Sequence, residues 1–167
     1  MNAKRIFLAL VITGAMAILV TVVSGWSSLS SAADAGQHLE GTWIVTVTRE
    51  DGRTFLSLMT FTPNGEVLEE TNTSTIRSLS HGEWVRTGDR QFTRTFIYFR
   101  FDGPMRKFIG TGRATANMRL SEDLKEFRAV ARVERFDAEG KLVDTGSATE
   151  IGKRLELNTI PDQPDVP

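Results

Sequence analysis

The sequence predicts an all-β domain, an eight-stranded up-and-down antiparallel β-barrel, behind an N-terminal targeting segment. Three observations predict the barrel. From Gly36 onward apolar and polar residues alternate, the pattern of half-buried strands. Turn signals interrupt that alternation about every dozen residues, as in sandwiches and barrels. No segment carries the long 3.6-residue apolar stripe of an amphipathic helix.

The turns come first, because they delimit the strands. Asp51-Gly52 and Asn64-Gly65 are the strongest hairpin dipeptides. Gly88-Asp89, Asp102-Gly103-Pro104, Ser121-Glu122-Asp123 and Ala138-Glu139-Gly140 follow. Between them lie eight strands, Thr42–Arg49, Thr54–Thr62, Glu66–Thr73, Glu83–Thr87, Gln91–Phe101, Lys107–Leu120, Leu124–Phe136 and Leu142–Ile151. Thr, Val, Ile and Phe dominate many of them, which suits a pleated surface. Leu120–Phe127 is compatible with a helical turn or with a hairpin around Ser121-Glu122-Asp123. A long meander leaves two unpaired edges, and closing it into a barrel removes both. An immunoglobulin-like sandwich needs longer crossovers, and only Ser74–His81 is a candidate for one.

Composition bounds the partners. The chain has 167 residues, 20 basic and 21 acidic, and no cysteine. Disulfides, thiolate catalysis, cysteine metal sites and a lipid-anchored N-terminal cysteine are excluded. Lys4 and Arg5 precede an apolar run, Ile6–Val23, and then Ser31-Ala32-Ala33, whose small residues fit a leader-peptidase site. Residues 1–33 are therefore expected to be a signal peptide, with cleavage after Ala35 as the alternative. The run is also long enough for an uncleaved membrane anchor. Either way the domain is expected outside the cytoplasm, periplasmic or secreted. Removing the leader leaves 18 basic and 21 acidic residues, a net charge of −3. That balance gives no electrostatic footprint for nucleic acid. The barrel domain is expected over residues 37–157. Residues 158–167 carry Pro161, Pro164 and Pro167 and read as a disordered tail.

Gly41-Thr42-Trp43 stands at the head of the first strand, and Gly152-Lys153-Arg154 follows the last. This bracket resembles the lipocalin and wider calycin signature. The resemblance implies that Gly41 and Trp43 close one barrel end and that Arg154 packs across the indole. A cation over an aromatic face is worth about 0.5–2 kcal/mol. The chain is also similar to a group of exported bacterial lipocalin-like proteins of unassigned function. Thr60-Phe61-Thr62-Pro63-Asn64-Gly65, His81-Gly82-Glu83-Trp84-Val85-Arg86-Thr87-Gly88-Asp89 and the Phe-rich Phe96–Asp102 carry that similarity.

The candidate ligand-binding residues are Trp84, His81, Arg94, Phe96 and Tyr98. Trp84 is either a core residue or a pocket wall. The two histidines, His38 and His81, lack metal-ligand spacing, so no metal site is expected. No nucleophile or orienting acid is tied to His81 by spacing, so no catalytic residue and no cofactor are assigned. On the fifth strand Thr93, Thr95, Ile97, Phe99 and Phe101 form the more uniformly apolar or small face, expected to point inward. The opposite face, with Phe92, Arg94, Phe96, Tyr98 and Arg100, would bury polar groups and mark a pocket for an anionic or carbonyl ligand. Gly110, Gly112, Ala114 and Ala116 share a face of the sixth strand, fitting a barrel corner or a close ligand. Glu69, Glu70 and Glu83 are expected at the solvated surface.

The function expected from fold and resemblance is binding of a small, largely apolar ligand. The alternatives are an isomerase or cyclase using the barrel mouth, and a filled barrel with a structural or interaction role. An eight-stranded barrel has an interior just wide enough for side chains or one small ligand.

Overall fold

The computed structural model describes residues 39–103 and 107–156. The expected leader, His38, Pro104 and the proline-rich tail lie outside the described residues.

Eight strands run in chain order as β1 Gly41–Arg49, β2 Thr54–Phe61, β3 Glu66–Thr71, β4 Ser80–Gly88, β5 Gln91–Asp102, β6 Lys107–Leu120, β7 Glu126–Phe136 and β8 Leu142–Arg154. Each pairs antiparallel with its sequence neighbour, and β8 pairs with β1 to close the barrel. No helix occurs among the described residues.

The turns follow the chemistry that predicts them. At Asp51-Gly52 the amide of Arg49 donates to the carbonyl of Arg53 at 2.9 Å. At Asn64-Gly65 Thr62 N donates to Glu66 O at 2.9 Å. Leu120–Phe127 resolves as a hairpin: Ser121 N donates to Glu126 O at 2.8 Å, and Leu124 takes a positive φ of 61°. That backbone breaks the ladder, so β7 begins at Glu126 rather than at Leu124. Four strands outrun their expected limits, β1 and β5 by a single residue. β4 starts at Ser80, and β8 continues to Arg154, where it lies opposite Trp43.

The longest connection, Asn72–Leu79, is not a sandwich crossover. It runs along the free margin of β5 beyond the start of β4. Phe101 N donates to Ile76 O at 2.9 Å, and Ser78 N donates to Phe99 O at 3.0 Å. Arg77 forms a bridge with Arg100 there.

The barrel interior has two halves. At the end where β1 begins, Leu39, Trp43, Phe61, Trp84, Phe92, Leu120 and Phe127 are buried together. Trp43 meets Phe127 edge-on with centroids 5.1 Å apart, and Trp84 meets Phe61 and Phe92 at 6.0 and 5.8 Å. Such edge-to-face pairs each add about 0.5–1.5 kcal/mol beyond area burial. At the other end the inward positions of β6, β7 and β8 are small. Ala114, Ala131 and Ala148 stand there, and the space they leave is not refilled.

Two inward glycines are required by aromatic rings rather than by backbone angle. A Cβ on Gly112 would sit 2.2 Å from Tyr98 Cζ, and one on Gly152 would sit 2.2 Å from Phe127 Cε1. Each ring belongs to the residue paired with that glycine across the ladder. The rings cover strand positions that offer no side chain of their own. This settles the role of Gly112 as a seat for Tyr98.

Candidate functional site

The open half encloses a cavity of about 410 Å³, within the usual range of small-molecule sites. Its walls include Val47, Phe55, Phe96, Tyr98, Ile109, Ala114, Ala131, Val133 and Ala148. Thr73, Ile76 and Arg77 reach it from the Asn72–Leu79 connection. Arg49, Glu69, Arg100, Asp102, Arg135 and Glu150 add charged groups to the lining. The Arg49 and Arg135 guanidiniums are drawn to Asp51 (3.6 Å) and Asp144, while Arg100 donates to the Phe136 carbonyl at 3.3 Å.

The cavity depends on which face of β5 points inward, and the structure reverses the expected assignment. Phe92, Arg94 and Phe96 are buried, whereas Ile97 and Phe99 are about half exposed, at 51% and 55%. The cause is cross-strand. Thr93 and Thr95 donate to or share hydrogen bonds with Asn117 and Thr115 on the outer wall. The alternation of β6 then places Ala114 and Ala116 inside, opposite Phe96 and Arg94.

Arg94 is fully buried and holds the cavity floor. Its Nη2 donates to both oxygens of Glu150, at 2.5 and 2.7 Å, and its guanidinium lies 4.3 Å over the Phe96 ring. A second polar cluster sits beside it. Glu69 accepts from Ser57 at 3.0 Å, from Ser80 at 2.6 Å and from Arg77. Arg77 also donates to Ser80 at 2.6 Å and stacks 3.7 Å over Tyr98. The expectation of a solvated Glu69 is thus corrected: it is 2% exposed, because the inward row Val67, Glu69, Thr71 carries it inside. Glu70 and Glu83 do point to solvent.

Of the candidate residues, Phe96 and Tyr98 line the cavity and Arg94 lies beneath it, against Phe96 and Glu150. Trp84 is buried in the closed half, and its indole Nε1 donates to Thr62 O at 3.2 Å. His81 is exposed on the outer wall, paired with Leu68 and Ile97, and does not reach the cavity. At the closed end Arg154 lies 4.3 Å over Trp43 and donates to the carbonyls of Leu124 (3.0 Å) and Glu40 (2.6 Å). Gly41 opens β1 directly beside it, its Cβ position 3.2 Å from Arg154 Nη1. Sequence reasoning did not single out Arg77 or Glu150. For Glu150 the available signal was alternation, since Ala148, Glu150 and Gly152 form one inward row of β8; Arg77 lies outside the strands and carries no such signal.

No protein-family model matches the chain, and no curated protein matches it. Among solved structures it is similar to EF1p2_mFAP2b bound to DFHBI, with a TM-score of 0.57, 20% identity, and coverage of 74% of this chain and 99% of that one. It is also similar to a redesigned beta barrel, with a TM-score of 0.50, 21% identity, and coverage of 73% and 96%. At such identity the likeness establishes the fold. The chain is a closed, eight-stranded, all-antiparallel β-barrel with one half filled and one half open.

Proposed function

We propose that the chain is an extracytoplasmic barrel that binds one small, largely apolar ligand in its open half. The observation that carries this reading is the cavity of about 410 Å³, with aromatic and small apolar side chains on its walls and charged side chains such as Arg77, Arg100 and Glu150 among them. Small residues at Ala114, Ala131 and Ala148 keep it open, in a barrel whose other half is packed with aromatics. A barrel filled throughout by side chains does not match this interior. The similar barrel EF1p2_mFAP2b is bound to DFHBI, a precedent for a small molecule on this fold. Fold alone does not fix function, so the cavity bears the weight.

Export is supported by Lys4-Arg5, the run Ile6–Val23 and Ser31-Ala32-Ala33. Native mass spectrometry of the protein recovered from its own host tests the binding reading. Retention of a defined small molecule supports it. A clean apo mass, with no thermal shift across a panel of lipophiles, overturns it. N-terminal sequencing of the same material tests export, with Asp34 as the expected first residue.

A further inference from the structure

Every buried side-chain polar atom without a partner among the described residues is an N–H donor: Arg77 Nε, Arg94 Nε and Arg94 Nη1. The buried acceptors are served. Glu69 receives Ser57, Ser80 and Arg77, and Glu150 receives Arg94. The two interior guanidiniums therefore face two interior carboxylates, and the formal charge balances. Buried N–H groups left unpaired are costly, and a bound acceptor removes the cost. A ligand carboxylate would bring an extra anion into pairs that are already neutral and lose its own hydration.

Arg77 is the donor that a ligand can meet. It lines the cavity, and its side chain is only 11% exposed. Its Nη2 is committed to Glu69 and Ser80, which fixes one edge of the fork and leaves Nε unpaired. The plane is set by stacking on Tyr98, which itself lies against Gly112. Arg94 sits one layer deeper, against Phe96.

Resting on the binding reading above, we infer that the ligand is an uncharged molecule with a flat apolar body and a carbonyl-type acceptor, and that Arg77 reads the acceptor with its guanidinium at the cavity wall. Three naphthalenes of similar size separate the possibilities: 2-acetylnaphthalene, 2-ethylnaphthalene without an acceptor, and anionic 2-naphthoate. Calorimetric titration of the full chain at neutral pH is expected to show the ketone binding about tenfold or more tightly than either of the others. Arg77→Met removes that advantage, so that the ketone and the ethyl compound bind alike. Arg77→Lys, which keeps the charge and loses the planar fork, does not restore it. Equal affinity of the ketone and the ethyl compound overturns the inference and leaves the binding reading standing. So does tighter binding of the naphthoate. Failure of all three to bind overturns the binding reading and the inference with it. The comparison on the unmodified chain decides the matter even where a variant does not fold.

Discussion

Arg94 on β5 reaches across the barrel to Glu150 on β8, and its Nη2 touches both carboxylate oxygens, at 2.5 and 2.7 Å. The two strands are not neighbours around the barrel, so the pair spans the lumen. On one side of it lie Trp84, Phe92 and the aromatic core; on the other lies the cavity. A buried ion pair is weak evidence for stability, because desolvation offsets the attraction. Its position makes it the partition between the filled and the open half.

Glu150→Leu leaves the Arg94 guanidinium buried without its counter-ion. The expected cost is about 3–5 kcal/mol, and Arg94→Met in the same chain recovers most of it. Urea denaturation of the two single variants and the double variant measures both. A single variant as stable as the parent would deny the pair this role.

Arg154→Ala removes the cation from the Trp43 face and two donors from the Glu40 and Leu124 carbonyls. We expect a loss of about 1–3 kcal/mol from the combined cation–π and hydrogen-bond contributions. Ligand affinity should not change, since this contact lies at the closed end. A weakened ligand with unchanged stability would contradict the separation of the two ends.

Gly112→Ala pushes a Cβ into the Tyr98 ring. The expected destabilisation is about 1–3 kcal/mol, the usual cost of forced overpacking. Adding Tyr98→Ala should recover part of it, giving a non-additive cycle. Strict additivity in thermal or urea unfolding would show that the ring does not depend on the glycine.

Ala131→Leu places a larger side chain in the open half, where space exists. The fold should survive with a stability change of about 1 kcal/mol or less, because the added group fills a void rather than displacing neighbours. Binding of any cavity ligand should fall about tenfold or more. Unimpaired binding in a titration would place the ligand elsewhere.

Asp51 in the β1–β2 turn is held at a pKa of about 2, chiefly by the hydrogen bond from the Arg53 side chain and then by the Arg53 amide. The folded value lies below the ordinary 3.8, so the contribution to stability is present above that ordinary value. It is lost as pH falls from there through about 2. Carboxyl NMR titration should find the depressed value, and Arg53→Ala should return Asp51 towards the ordinary range. An unshifted Asp51 in the parent chain would sink this account of the turn.

Much of the barrel is legible in the sequence. Asp51-Gly52 and Asn64-Gly65 mark hairpins because few residue pairs tolerate those turns. Trp43 and Arg154 are visible as a bracket because they sit beside the two strands that must meet for closure. The site was harder to read. On β5 both faces carry apolar residues, and Arg94 made the inward face look like the solvated one. On β3 the three-acid group Glu69, Glu70 and Glu83 suggested surface, although Val67 and Thr71 share the inward row with Glu69.

Strand count and the order of pairing are readable along the chain because alternation and turn chemistry act between near neighbours, while the closed end follows from the resemblance of the Trp43 and Arg154 bracket. That the barrel is half open, that Arg94 faces Glu150, and that Arg77 swings in from the Asn72–Leu79 connection to Glu69 emerges only when the strands come together. Those contacts join positions distant along the chain. A buried charge is tolerable only once its counter-charge arrives from another strand, and no local pattern records that arrival.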